Sequence, residues 1–165
     1  MVEIKVRPLR LDDHVGVSAV DEATQKQYLG NAWDILSDLE KDAHLTSRGS
    51  EFAMNIATGY GYVAVNVAEF ADEHILGFVL AYEALPFRDH VYIRYIAIHP
   101  EYQARGIGGL LYKAVIEKAE QNGISKIATL INLDNPESMK LHEKVGFKLI
   151  TRKEAILPLG EDYRS

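Results

Sequence analysis

Residues 91–131 limit the fold more than any other part of the chain. Residues 91–98 are rich in β-branched and aromatic side chains and are ended by His99-Pro100, which is the composition of a buried strand. Ile107, Leu110, Leu111, Ala114, Val115 and Ala119 follow at helical spacing and fall on one face. Asn122-Gly123 ends that helix, and residues 124–131 give a second short apolar strand. Strand, helix and strand in this order make a βαβ unit, with two parallel strands joined by a right-handed crossover.

The rest of the chain reads as antiparallel strands and helices. Residues 4–10 alternate apolar and polar, as a half-buried strand does. Leu11-Asp12-Asp13 offers carboxylates for a helix start, and further helices are expected over residues 32–44 and 50–57. Residues 60–67 and 75–82 read as antiparallel strands, with turns at 71–74 and 85–89. Asn135-Pro136 opens a last helix, with Asn as N-cap and Pro at its first position, and Gly146 closes it. A final strand is expected over residues 147–157.

Hydrophobic residues make up 47% of the 165 residues and charged ones 25%, enough for a packed core. No linker or repeat divides the chain, so residues 1–165 are expected to form one domain. The absence of cysteine excludes disulfides and thiolate chemistry. Five of the histidines, His44, His74, His90, His99 and His142, show no compact ligand spacing, so no metal is expected. A formal charge of −6 argues against a nucleic-acid surface. No apolar run approaches a membrane span and no secretory leader is visible, so the expected location is cytoplasmic, away from membranes.

Between the strand and the helix of the βαβ unit lies Gln103-Ala104-Arg105-Gly106-Ile107-Gly108-Gly109. Its glycines permit a tight turn that exposes successive N–H groups at the positive end of a helix, a site for phosphate or pyrophosphate. Arg105 adds a cation. A dinucleotide-binding fingerprint would need glycine where Leu111 stands, and no Gly-Lys-Ser/Thr tripeptide occurs.

In its wider setting, residues 96–108 resemble the acetyl-CoA signature of the GNAT acetyltransferase superfamily, Arg/Gln-x-x-Gly-x-Gly/Ala after an apolar strand that ends in x-Pro. Residues 135–147, Asn-Pro-Glu-Ser-Met-Lys-Leu-His-Glu-Lys-Val-Gly-Phe, resemble its second block. The motifs are nearest to those of the phosphinothricin-type and protein N-terminal-alanine-type branches. The resemblance implies an α/β (α+β) fold: a mixed, mostly antiparallel twisted sheet with a splayed parallel strand pair and about four helices. It implies acetyl-CoA as co-substrate and transfer of acetyl to a primary amine by direct attack. The amine would be a small molecule or a peptide or protein N-terminus.

The same resemblance implies residue roles. Backbone groups of Ile96, Ala97 and Ile98 would pair with pantetheine as an added strand would. Gln103, Ala104, Arg105, Gly106, Ile107, Gly108 and Gly109 would hold the pyrophosphate, and Asn135 and Ser138 the pantetheine arm. The amide of Ile96 or Ile98 would receive the oxyanion. His142 stands where many relatives carry a tyrosine and would protonate the leaving thiolate. Gly108 is expected to tolerate no side chain because phosphate approaches it, so its replacement should abolish binding and spare the fold.

Departures from the family leave the general base open among Tyr92, His90, Glu22 and a water wire. Leu130 replaces a glutamate of N-terminal acetyltransferases and Tyr92 one of the histone-acetylating branch. Without a carboxylate base, an α-amine (pKa near ~7.7–8.0) is an easier acceptor than a lysine ε-amine (near ~10.4). The stretch 25–44, with Tyr28, Trp33 and Asp34, is expected to wall the acceptor site. The short C-terminus would leave a sheet edge that a second copy could join, giving a homodimer. The rival reading is a non-catalytic acyl-CoA-binding sensor.

Overall fold

Strand order in the sheet follows chain order: β1 (Ile4–Pro8), β2 (Tyr62–Asn66), β3 (His74–Glu83), β4 (His90–Ile98) and β5 (Lys126–Thr129). The computed structural model describes residues 2–45, 49–68, 73–84, 89–132 and 134–150. The first three junctions are antiparallel and β4–β5 is parallel, the mixed sheet expected from the sequence.

A bulge in β4 decides which side chains face which layer. Leu80 pairs with Tyr95 and Ala81 with Ile93, so Arg94 has no residue opposite it. One extra residue shifts the period-two alternation. Val91 and Ile93 before the bulge, and Ile96 and Ile98 after it, pack in the cluster that contains Ile107, Leu111, Tyr112 and Val115. Tyr95 and Ala97 face the opposite cluster, with Val17, Val20, Phe52 and Phe78. The first layer is helix α5 (Ile107–Gln121); the second is α1 (His14–Leu29) and α4 (Gly49–Thr58). Helix α6 (Pro136–Val145) packs on α5.

Three expectations need correction. The stretch 32–44 is not one helix: α2 (Asn31–Asp34) stops, and α3 (Asp38–His44) starts afresh. Ser37 is extended, its hydroxyl accepts from Glu40 N, and the Glu40 carboxylate accepts from Ser37 N at 2.7 Å. This reciprocal cap makes Ser37 a helix start and not a helix interior. The described residues therefore hold six α-helices where about four were expected. The buried face of α5 is also rotated by a residue: Gly108 and Tyr112 lie inside, whereas Leu110 is 42% exposed. Finally, residues 147–150 form no strand. Gly146 has φ +115°, and Phe147 N donates to His142 O at 2.9 Å, so these residues complete a helix-ending turn. The remainder of that expected strand, the turn at 71–72 and the loop at 85–88 lie outside the described residues.

One ion-pair cluster ties β1 to the entry of α1. The Arg7 guanidinium donates to both carboxylate oxygens of Asp13, at 2.8 Å each, and to Glu73 at 2.6 Å. Arg10 N donates to Asp13 at 2.7 Å. Burial alone would raise the Asp13 carboxyl, but the bonds from Arg7 and Arg10 outweigh it and hold it below the usual carboxylate range. A lowered folded-state pKa gives stability that is present above the unfolded value near ~3.9 and is lost as pH falls through the folded one. Asp13→Ala should cost about 3 kcal/mol near neutral pH, because it leaves Arg7 buried with Glu73 alone. In urea melts the gap between parent and Asp13→Asn should shrink as the pH drops from about 5 to about 2; a constant gap would contradict this account.

Candidate active site

Parallel pairing runs from His90↔Lys126 to Ile93↔Thr129 and then stops. The Thr129 hydroxyl donates to Ile93 O at 3.1 Å and fastens the last rung. Beyond it β4 continues to Ile98 with only β3 beside it. His99 N donates to Leu76 O at 2.8 Å. Alternation along an antiparallel pair then turns the backbone groups of Tyr95 and Ala97 toward β3, and those of Ile96 and Ile98 toward the open gap. Ala97 was expected to present backbone to the gap; its groups belong to β3 instead. The Ile98 carbonyl is taken as well, since Gln103 Nε2 donates to it at 3.0 Å. The Ile96 N–H and C=O point into the gap.

The loop at the head of α5 is shaped for an anion. Ala104 has φ +61° and Gly106 φ +80°, with Arg105 between them outside that region. Residues that alternate hand turn successive N–H groups inward as a nest. An alanine in the left-handed region costs about 1 kcal/mol, a strain of the kind stored at binding sites. The first turn of α5 begins at Gly106, which offers no side-chain cap, so the amides that open the helix lack an acceptor from its N-cap. Arg105 lies 5.2 Å from the Tyr102 ring and bonds Glu101 O at 3.3 Å, on the surface beside the nest.

The two glycines that follow differ. A Cβ on Gly108 would meet Leu141 of α6 at 3.0 Å, whereas one on Gly109 meets nothing within 4 Å. Gly108 thus lies where α5 and α6 approach closely, and a side chain there requires Leu141 to shift, so its replacement is expected to disturb the α5–α6 contact as well as the loop. A Cβ on Gly109 meets no protein atom within 4 Å, so a side chain added there is expected to leave the α5–α6 contact intact.

Helix α6 faces the gap from the same side. The Asn135 side-chain carbonyl caps the helix by accepting from Ser138 N at 3.1 Å, and its Nδ2 group takes no part in that bond. His142 is 4% exposed. Its Nδ1 lies 2.7 Å from Ser138 O, an acceptor only, so Nδ1 carries the proton in this network. In the neutral ring Nε2 then accepts from Tyr112 Oη, at 2.6 Å. Burial pushes the Tyr112 phenol well above its ordinary value, so it remains the donor. His142 packs edge-on to Tyr112 and Phe147. Both ring nitrogens are thus engaged inside the α5–α6 contact.

On the other side of the gap stands α1. The Tyr28 hydroxyl accepts from Asn132 Nδ2 at 3.0 Å, and Gln25 reaches Tyr95 Oη at 3.4 Å. Tyr28 and Gln25 thus reach the β5–α6 loop and β4, whereas Trp33, 3% exposed, belongs to the core. Of the candidate bases, His90 sits at the far end of the parallel pair, 2.7 Å from Asp89. Tyr92 stands one pair before the gap, its ring 5.6 Å from Tyr82. Glu22 is exposed on α1. Sequence reasoning missed Tyr112, Gln27 and Asn132; no spacing marks them, because each acts through a partner distant in the chain.

Comparison with known proteins gives the family. Residues 23–147 match the model of the Acetyltransferase (GNAT) family. The chain belongs to the GNAT family. It is an acetyl-CoA-dependent N-acetyltransferase with the fold implied by its motifs. It is 26% identical over 139 residues to the L-2,4-diaminobutyric acid acetyltransferase of Nocardia farcinica, covering 84% of this chain and 69% of that one. It is 26% identical over 129 residues to the ribosomal protein bS18-alanine N-acetyltransferase of Haemophilus ducreyi, covering 78% and 85%. The structure of the PaiA N-acetyltransferase of Thermoplasma acidophilum in complex with coenzyme A superposes with a TM-score of 0.72, at 18% identity and over 92% and 93% of the two chains.

Gly109→Val should keep the parent's melting temperature and lower acetyl-CoA affinity at least tenfold, about 1.4 kcal/mol. Gly108→Val should destabilise the fold by about 1–3 kcal/mol through overpacking against Leu141. Calorimetry beside thermal melts checks both; equal acetyl-CoA affinity in Gly109→Val and parent would remove the loop from the cofactor site.

Proposed function

We propose that this acetyltransferase acts on α-amines, at the N-terminus of a peptide or on an amino-acid-like small molecule. The observation that carries the reading is the gap beyond Ile93 and Thr129, with the open Ile96 edge on one lip and the loop nest at its end. Acetyl-CoA enters as the second substrate. Ile96 would pair with pantetheine, the Asn135 side-chain NH₂ would hold its arm, Ser138 would line it, and the amides of residues 104–109 would receive the pyrophosphate with Arg105. The neutral amine nitrogen bonds to the thioester carbon, the oxyanion that forms accepts a hydrogen bond from Ile96 N–H, the nitrogen gives up a proton to solvent, the carbon–sulfur bond breaks as the carbonyl re-forms, and the thiolate takes a proton from solvent. Relatives named for acting on a protein N-terminal alanine and on L-2,4-diaminobutyric acid support this acceptor class. No carboxylate stands on β4 beside the gap, and an α-amine, half neutral near ~pH 8, needs a base least. The acidic balance of −6 attracts a cationic substrate. A cysteine-free, single-domain enzyme in the cytoplasm fits the same reading, as does pairing of two copies along the outer edge of β5.

Coenzyme A release, measured at about pH 7 against α-amino acids, peptides with free N-termini and α-blocked lysine, tests the acceptor class. Turnover of the first two groups is expected. Turnover of blocked lysine alone would sink the α-amine reading, and acetyl-CoA binding with no turnover on any amine would favour the sensor.

For His142 the engaged nitrogens favour holding α6 on α5 over donating a proton. His142→Ala should lower stability by about 2 kcal/mol, since it leaves the Tyr112 hydroxyl buried without an acceptor. The shape of its kcat profile from about pH 6 to about pH 9 should match the parent's; a general acid at this position would give the parent alone a limb falling as pH rises.

A further inference from the structure

Gln103 occupies a junction in this fold. Its Nε2 donates to Ile98 O, on the open edge of β4, and also to Gln27 Oε1, each at 3.0 Å. Gln27 Nε2 returns a bond to Gln103 Oε1 at 3.3 Å. A primary amide has two N–H donors, so both protons of Gln103 are engaged, one on the strand and one on α1. The next residue of α1, Tyr28, takes the Asn132 Nδ2 proton at 3.0 Å, and Asn132 is itself fixed by accepting from Asp134 N at 2.9 Å. The last turn of α1 thus grips both lips of the gap: the β4–α5 loop through Gln27, and the β5–α6 loop through Tyr28.

We propose that Gln27 is a positioning residue for acetyl-CoA, acting through Gln103. Gln103 blocks the Ile98 carbonyl and so ends the open edge of β4 at Ile98, two residues beyond Ile96. The cofactor arm must leave the strand there and turn toward the nest at Ala104 and Gly106. Gln27 fixes the rotamer that does this. Without it, one Gln103 proton loses its acceptor, the amide is free to rotate off Ile98 O, and the loop is no longer anchored at its first residue. Both glutamine contacts are neutral and lie at the surface, so the device is insensitive to pH and weakly sensitive to salt. The link also means that the helix walling the acceptor side sets the geometry of the cofactor loop.

This inference rests on the reading that the loop holds acetyl-CoA, and a mutant cycle separates the two. Acetyl-CoA affinity is measured by calorimetry in parent, Gln27→Ala, Gln103→Ala and the double variant, with Gly109→Val as control. Gln27 is an exposed helix position, so Gln27→Ala should fold and melt as the parent does. Its acetyl-CoA affinity should fall about fivefold, the effect of one neutral hydrogen bond. KM for acetyl-CoA should rise by the same factor, with kcat within about twofold of the parent. In the Gln103→Ala background the Gln27 change should have no further effect. Gln27→Glu, which keeps the acceptor for Gln103 Nε2, should recover most of the loss. An unchanged affinity in Gln27→Ala, or full additivity in the double variant, overturns the proposal while leaving the loop assignment in place. Loss of the cofactor site itself would show instead as parent-like binding in Gly109→Val.

Discussion

A parallel strand pair that stops pairing while one of its strands runs on is the constraint around which this molecule is arranged. Backbone N–H and C=O groups at a sheet edge need partners. Thr129 closes the ladder at Ile93, and β4 continues for five residues with one side open. The bulge at Arg94 falls where the ladder ends. It shifts the alternation so that Ile96 and Ile98 keep their side chains in the α5 layer while their backbone groups face the gap. Without the extra residue those side chains would sit under α1. The bulge therefore lets one strand serve both as core and as an open edge.

The far wall of the gap depends on how closely α6 approaches α5. Gly108 permits the approach by leaving room for Leu141. The Tyr112–His142–Ser138 chain of hydrogen bonds then locks it. Phe147 packs edge-on against both rings after the left-handed turn at Gly146. Such buried polar networks rigidify when every member is satisfied. Asn135, at the start of the same helix, is thereby held at the gap.

Much of this was legible in the sequence, and the failures have physical reasons. The βαβ unit was readable because its strand and helix patterns are long and differ in period. The N-cap at Asn135 and the stops at Gly123 and Gly146 were readable because cap chemistry is local. The break at Ser37 was missed although its capping box is local too, because the apolar pattern continues across it. The face of α5 was displaced because hydrophobicity alone favours Leu110 over Tyr112, whereas Tyr112 lies in the core with its hydroxyl hydrogen-bonded to His142. The Gln27–Gln103 and Tyr28–Asn132 pairs span 76 and 104 residues, a separation that no window along the chain can detect.

The histidine at 142 is best understood together with its partner. A buried phenol on α5 needs an acceptor, and an unsatisfied hydroxyl in an apolar layer costs about 1–3 kcal/mol. Imidazole supplies one: with Nδ1–H directed at Ser138 O, Nε2 is obliged to accept. A tyrosine at 142 offers a hydroxyl on a longer ring, which cannot meet Tyr112 at the same point while α6 keeps its distance. The pair Tyr112 and His142 thus forms one unit, in which the identity of each follows from the other. The departure from tyrosine at this position then reads as a consequence of the phenol on the neighbouring helix, whose hydroxyl the imidazole satisfies.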